Sequence, residues 1–513
     1  MIEGRAGGAR KPVAAGLAAI GLVAVIVASA VATRYLPAGK AGATPSPTPD
    51  TSSAGAAPSA KPPIRWFVGL DGTSAAQLAA AKAFVARYNA GNKDGVTIEI
   101  DDPHAVDPAA DPYDVIRTQL SGGNGTAPDI VGPATLDALD GLDGLWTDLT
   151  SEIAKKHFDL GAYDPSLVKL VREPDVAGAA LTGIPWVIDP GFIAYNEDLL
   201  SKAGLPPLPT AVGQTYQRQT WDWNELAETA ARLTVDTSGR NSTQAGFDPA
   251  NVAQFGFDFP TSDARVMAST FGSGSFLAGY CPSVLQIAPN WSDAFNWYYR
   301  AIWTKHIAPT LPQQRALGQA GSVASGGVAM ALSFSSEIGS YGGVGGASSA
   351  GWGMAVIPSW KGSTTSPVTT ETFKIVNKDL PPYSPASPSS RSDEVFDAMV
   401  AMEAAPGLLE ASGMMPAATA LQPAWFASEA AGSAVLRAME EHAALPSPEQ
   451  PLWNSRQTVA DYTGFFTSLR SSSRLKMAEE LAALKQAIQN DAWAAMSWPN
   501  GSGPSDPGNP CGL

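Results

Sequence analysis

The feature that most constrains the fold of this chain is the segment 183–205, GIPWVIDPGFIAYNEDLLSKAGL. Its apolar run is interrupted at Asp189 by the turn-forming sequence Asp-Pro-Gly and then resumes. A helix is predicted to follow at once, because Glu197 suits the positive end of a helix dipole and Gly204 suits a left-handed cap. The segment therefore predicts two buried strands joined by a short polar break, the arrangement that a chain crossing between two lobes needs.

The N-terminus has the pattern of an export signal. Arg5, Arg10 and Lys11 precede an uncharged apolar run at 13–33, which reaches the roughly 20 residues needed to span a bilayer. Residues 1–36 are predicted to be a signal peptide or an N-terminal membrane anchor, and both remain open. Residues 37–61 are rich in Ala, Pro, Ser and Thr, so they predict a disordered linker. The body is expected at the cell surface or on the extracellular side of the cytoplasmic membrane.

The net charge and the cysteine content restrict which partners, disulfides and metal sites are expected. The chain has 513 residues and a net charge of −15, which disfavours phosphate backbones and excludes nucleic acid as a partner. Its two cysteines, Cys281 and Cys511, form either one disulfide or two unpaired thiols in an exported protein. No cofactor or metal site is predicted. Residues 236–241 resemble a calcium loop only faintly, because they carry one carboxylate, and calcium binding there stays open.

The order of apolar patterns predicts the fold class. Strands are expected at 64–68, 96–100 and 128–131, and helices over 73–90 and 115–120 lie between them. Alternation of strand and helix is the signature of an α/β layer with a largely parallel sheet. Further helices are expected to begin at Asp222, near Trp291, at Ser392 and near Leu475.

Five motifs resemble those of bacterial extracellular solute-binding proteins, the capture subunits of ABC sugar importers (family 1, maltose-binding-protein-like). They are GLDGTS (69–74), APDIVGP (127–133), AYNEDLLSKAGLP with WDWNELAETAARLT (194–206 and 221–234), GGVAMALS (326–333) and SGMMPA (412–417). Each motif is weak by itself, and the resemblance depends on their order and spacing.

The resemblance implies a two-lobed periplasmic-binding-protein-like fold of type II, with a hinge between two lobes. Each lobe is a largely parallel sheet flanked by helices. Lobe 1 is expected to comprise residues 62–188 plus 360–408, and lobe 2 residues 189–359 plus 409–498, followed by a tail at 499–513. The implied function is that of the substrate-binding component of an ABC importer. It captures a sugar or oligosaccharide by hinge closure and delivers it to permease subunits, as a monomer and not as an enzyme.

The expected site combines aromatic ring faces with polar groups, because a sugar needs both. Asp189 lies six positions before Tyr195, as does an acidic sugar-bonding residue at the crossover of maltose-binding protein. Many relatives carry Trp where this chain has Ser335 and Ser336, so a main stacking platform is expected to be missing or supplied elsewhere. The predicted substrate-binding residues are Asp71, Thr73, Thr135, Trp186, Asp189, Tyr195, Ser335, Ser336, Glu337, Trp352, Trp360 and Met415.

Two other functions remain open at this point. The four histidines are scattered, and neither HExxH nor GxSxG occurs. A pair of carboxylates acting on a glycoside at the cell surface is not excluded, because their separation is not readable from sequence. A ligand-sensing module that signals to a membrane partner also fits a retained anchor.

Overall fold

A computed structural model describes residues 61–496, with gaps at 92–94, 106, 122–126, 141, 143–144, 174–179, 262, 273, 275–286, 319–321, 342–350, 379–390, 430–431 and 444–454. The predicted signal or anchor, the linker up to residue 60, the tail at 499–513 and both cysteines, Cys281 and Cys511, lie outside the described residues. None of the helices within the described ranges combines the length and apolarity that a membrane crossing demands.

The described part of the chain contains fourteen strands. They are β1 (Ile64–Phe67), β2 (Ile98–Asp101), β3 (Ile130–Thr135), β4 (Arg172–Glu173), β5 (Ala180–Leu181), β6 (Gly183–Asn196), β7 (Thr215–Tyr216), β8 (Gln219–Thr220), β9 (Val235–Asp236), β10 (Val252–Gln254), β11 (Met330–Phe334), β12 (Trp352–Ala355), β13 (Val368–Ile375) and β14 (Met415–Pro416).

Sixteen α-helices are described with them. They are α1 (Ala75–Gly91), α2 (Pro112–Ser121), α3 (Leu136–Asp140), α4 (Thr150–Lys156), α5 (Pro165–Leu170), α6 (Glu197–Lys202), α7 (Trp223–Leu233), α8 (Ala264–Ser269), α9 (Pro289–Trp303), α10 (Leu311–Leu317), α11 (Ser392–Glu403), α12 (Pro406–Ser412), α13 (Gln422–Ser428), α14 (Ser433–Glu441), α15 (Ser455–Ser471) and α16 (Met477–Met496).

The largest sheet has eight strands in the order β11-β6-β13-β3-β1-β2, with β12 and β14 also paired to β6. Strand β1 pairs in parallel with β2 and β3, as the alternating strand and helix pattern predicts. Strand β13 returns antiparallel between β3 and β6. The α/β fold class expected from the sequence is confirmed.

Strand β6 is continuous over fourteen residues, so the expectation of two strands with a polar break is wrong. Its first part pairs with β13 and β14, and from Gly191 onward it pairs with β11 and β12. The change of partner falls at Pro190, which has no backbone N–H to donate to a ladder. The next residue, Gly191, donates its N–H to the carbonyl of Pro367 at 2.8 Å. A Cβ at Gly191 would lie 2.7 Å from the Pro367 ring, so only glycine fits this approach.

Buried side chains cover both faces of the lobe 1 sheet. Trp66 of β1 belongs to the cluster packed against α1, α11 and α12, whereas its neighbour Phe67 belongs to the cluster packed against α2 and α3. A strand buried on both faces is typical of a parallel sheet between helices. A third cluster surrounds Trp223, whose ring stacks on Phe271 at 4.8 Å and meets Trp297 edge-on at 4.9 Å. Most aromatic residues of the chain are therefore core.

Candidate functional site

The loop after β1 and the end of β3 meet at one edge of the sheet, because parallel strands end on the same side. The carboxylate of Asp71 in the loop accepts the backbone N–H of Thr135 at 2.8 Å. Asp71 is exposed by area, yet the protein around its carboxylate raises its pKa. The Asp71 carboxylate therefore joins the loop after β1 to the end of β3.

Asp189 lies at the middle of β6, where the strand changes its partners. The side chain is buried, and its Oδ1 accepts the Ser335 hydroxyl at 2.6 Å and the Ser336 backbone N–H at 2.9 Å. Its Oδ2 accepts the Ser336 hydroxyl at 2.6 Å. Burial raises the pKa of Asp189 to about 6, the three serine hydrogen bonds lower it, and the charge of Glu337 raises it further. Three acceptor positions are therefore occupied, and Asp189 joins β6 to the loop that follows β11.

The sequence analysis missed Glu371, an acidic residue on β13. The strand register places Glu371 opposite Thr135 of β3 and Val187 of β6, so it lies between the Asp71 loop and Asp189. Burial, together with the charges of Asp71 and Asp189, raises the pKa of Glu371 to about 8. Its signal in the sequence was a single acid within the β-branched run VTTETFKI.

A small recess that is partly open to solvent lies beside Glu371. It is lined by Thr73, Trp186 and Glu371, together with the rings of Trp66 and Phe373. Trp186 is 3% exposed, and its indole N–H has no acceptor among the described residues. The recess therefore combines aromatic walls with a carboxylate and a hydrogen-bond donor that lacks a partner.

An ion pair connects α8 to α3. Arg265 of α8 donates from Nη1 to Oδ1 of Asp137 in α3 at 3.1 Å, and its Nη2 donates to Asp137 as well. The same guanidinium pairs with Asp263 at 2.7 Å and lies over the Tyr462 ring at 5.3 Å. Arg265 is 3% exposed, so its charge depends on these partners.

The structure packs four of the predicted residues elsewhere. Tyr195 is buried against Gly353 of β12 in the core of lobe 2. Trp352 is buried with its ring 4.8 Å from that of Tyr341, and Trp360 packs on Phe271 and donates to Asp293 at 3.3 Å. Met415 is fully buried in β14. The sequence pattern did not distinguish these four packed residues from ligand-binding residues, because core and ligand-facing positions share the same residue types.

The remaining predicted residues lie near Asp189. Glu337 follows the two serines and accepts the backbone N–H of Phe334 at 3.1 Å, so it stabilises the loop start. The turn at 412–417 also reaches this loop, because a Cβ at Gly413 would lie 3.3 Å from the Ser336 carbonyl oxygen. Gly413 has a φ of 69°, which favours glycine.

The 236–241 loop is held by its own carboxylate. Asp236 accepts the Ser238 hydroxyl at 2.6 Å and the backbone N–H groups of Arg240 and Asp248 at 3.0 Å. These bonds lower the pKa of Asp236. Asp236, which resembled a calcium ligand in the sequence, therefore stabilises its own loop.

The sheet order and the course of β6 agree with the two-lobed type II periplasmic-binding-protein fold, which the structural neighbours below share. The family model of bacterial extracellular solute-binding proteins matches residues 71–379, more than half of the chain. The protein therefore belongs to the family of bacterial extracellular solute-binding proteins. Comparison with curated proteins gives no match.

Solved structures share the fold at low identity. The sugar-binding protein MalE from Xanthomonas citri has 14% identity and a TM-score of 0.62, over 84% of this chain and 98% of that one. The cyclic alpha-maltosyl-1,6-maltose binding protein from Arthrobacter globiformis has 16% identity and a TM-score of 0.60, over 84% and 98%. The ABC substrate-binding protein Lmo0181 from Listeria monocytogenes, in complex with cycloalternan, has 15% identity and a TM-score of 0.57, over 84% and 97%.

Proposed function

We propose that this protein is the substrate-binding component of an ABC importer that captures a sugar or oligosaccharide between its lobes. The observation that carries the proposal is the convergence of Asp71, Asp189, Glu371 and Trp186 where β6 passes from one lobe to the other. Carboxylates accept sugar hydroxyls, and the recess supplies aromatic walls. The sugar-binding titles of the structural neighbours support the same ligand class.

The proposal also covers the lobes and the residues that bind. Lobe 1 is proposed as 62–188 plus 360–408 and lobe 2 as 189–359 plus 409–498. Hinge closure would enclose the sugar and present a shape that permease subunits recognise. Membership of an extracellular family indicates export. Residues 1–36 would then either anchor the protein to the membrane or be cleaved.

A sugar panel tests this function. Members of this family bind solutes, so the protein is expected to gain thermal stability with at least one sugar and to leave that sugar unchanged. Differential scanning fluorimetry would detect binding, and chromatography after prolonged incubation would detect products. Hydrolysis of the sugar would favour the glycoside-acting enzyme instead. A response only to peptides or other non-carbohydrate solutes would contradict the sugar assignment.

A further inference from the structure

Three carboxylates, those of Asp71, Asp189 and Glu371, lie close enough to interact electrostatically, and each comes from a different segment. Glu371 lies opposite Thr135 and Val187 in the ladder, while Thr369 on the same strand lies opposite Asp189. The Thr135 backbone N–H in turn holds the carboxylate of Asp71. The backbone pairing therefore keeps Glu371 close to Asp71 and Asp189.

The described residues provide no counterion for these acids. No described Lys, Arg or His forms an ion pair or hydrogen bond with Asp71, Asp189 or Glu371. The charged and titratable groups on neighbouring elements and on the same strand are Asp137 and Asp140 of α3, Glu337 after β11, Arg265 of α8, His104 beside Gly69, and Lys374 of β13.

Two cations of that group, Arg265 and Lys374, already interact with other side chains. Arg265 pairs with both Asp137 and Asp263, so one positive charge serves two carboxylates. The ammonium of Lys374 lies 5.3 Å from the centre of the Trp146 ring. The described residues therefore do not neutralise these carboxylates. A neutral ligand would leave an ionised Glu371 without a counterion, which makes such a complex less stable.

A second feature points to a ligand independently of the charges. The indole N–H of Trp186 is buried, lacks an acceptor among the described residues, and belongs to the recess that Thr73 and Glu371 also line. A buried donor without a partner costs about 1–3 kcal/mol, so a ligand oxygen at this place would gain affinity. The complementary ligand has a hydroxyl oxygen for Trp186 and a cationic donor for the carboxylates.

We propose that the ligand is an amino sugar with a free ammonium group, bound by Glu371 and Asp71, with a hydroxyl oxygen accepting from Trp186. This inference rests on the proposed function and names the sugar class for the same cleft. An ammonium donates up to three hydrogen bonds, and a bond to an ionised partner is stronger than one between neutral groups.

Binding of a cation would also change the protonation of Glu371. Burial and the neighbouring acids raise the pKa of Glu371 to about 8, so its carboxyl is mainly protonated at pH 7 in the empty cleft. An ammonium favours the ionised form and lowers that pKa, so up to one proton is released for each ligand bound. The affinity should therefore rise from pH 6 to 7, where the ligand amine stays protonated. A neutral sugar would release no proton.

Calorimetry on the full chain in mild detergent tests the inference with matched sugars. Glucosamine, N-acetylglucosamine and glucose would be titrated, together with the corresponding galactose series and with chitosan and chitin oligosaccharides. Buffers of different ionisation enthalpy report the protons released. At least one free amine is expected to bind about tenfold or more tightly than its acetylated and hydroxyl counterparts, because the acetyl group removes the charge.

Two variants test whether Glu371 itself causes the preference for a free amine. Glu371→Gln is expected to reduce the amine preference to below about threefold and to abolish proton release. The control Glu440→Gln removes another half-buried acid, which bonds Gln422 on the α13–α14 side of the protein, and should change neither quantity. Neutral sugars binding as tightly as amines, without proton release, would overturn the amino-sugar inference but leave the sugar-binding function intact. Failure of every sugar to bind would overturn the proposed function itself.

Discussion

Replacing Asp137 by Asn should weaken ligand binding, because the proposed lobe division puts Asp137 and Arg265 in different lobes. We expect their ion pair to form only when the lobes are close. The pair is shielded, since the side chains are 21% and 4% exposed. A hydrogen bond to a charged group contributes about 1.5–3 kcal/mol. Arg265 keeps its pair with Asp263, and the amide introduced by the substitution keeps one acceptor oxygen, so the lower end applies. A loss of about 1.5 kcal/mol corresponds to roughly tenfold weaker binding.

The measurement is the dissociation constant of the tightest sugar of the panel, by calorimetry, together with the radius of gyration by small-angle scattering. Asp137→Asn should raise the dissociation constant and shift the sugar-free protein toward larger radii, because closure loses a contact. Glu228→Gln is the matched control, since Glu228 pairs with Lys305 within lobe 2 at 2.8 Å. An affinity within twofold of the wild type would refute the assignment of this ion pair to closure.

Three further predictions concern the hinge and the core. Asp189→Ala should weaken sugar binding at least about tenfold by releasing the serine loop, and unchanged affinity in calorimetry would remove Asp189 from the site. Because burial raises the pKa of Asp189 to about 6, the native state binds more protons than the unfolded state between about pH 4 and 6. The urea-unfolding free energy of the wild type relative to Asp189→Asn should therefore fall by roughly 2–3 kcal/mol from pH 4 to 7, and a constant difference would contradict this. Gly353→Ala should destabilise by about 1–3 kcal/mol, since its Cβ would lie 2.5 Å from the Tyr195 ring. Gly464→Ala, exposed within α15 and without neighbours, should stabilise by about 1 kcal/mol; equal melting temperatures for the two alanine variants would refute the packing argument.

Local patterns in the sequence were enough to find most of the elements. The alternation in the first strands and helices led to the parallel pairing of β1 with β2 and β3. Asp222 caps α7 as its position predicted, accepting the N–H groups of Asn224 and Glu225 at 2.9 Å. Such signals are local, because a cap or an alternating face depends only on residues a few positions away.

The uninterrupted course of β6 was not predictable in the same way. Asp-Pro-Gly normally interrupts a strand, and here it does not because distant groups compensate for each residue. Ser335 and Ser336 bond the Asp189 carboxylate, and the Pro367 carbonyl accepts the N–H of Gly191. These partners lie far away in the chain, so no local pattern contained them.

The sequence by itself determined the class of this protein: an α/β chain with an export-type N-terminus, an acidic body and the motif order of a solute-binding protein. Only the tertiary structure shows which of the candidate residues lie together. It placed Glu371 beside Asp71 and Asp189 through the register of β13, and it buried Tyr195 and Trp352 in the core. The physical reason is that composition and periodicity report burial and element type. A binding site instead depends on which strand lies beside which, and that is fixed only when the lobes assemble.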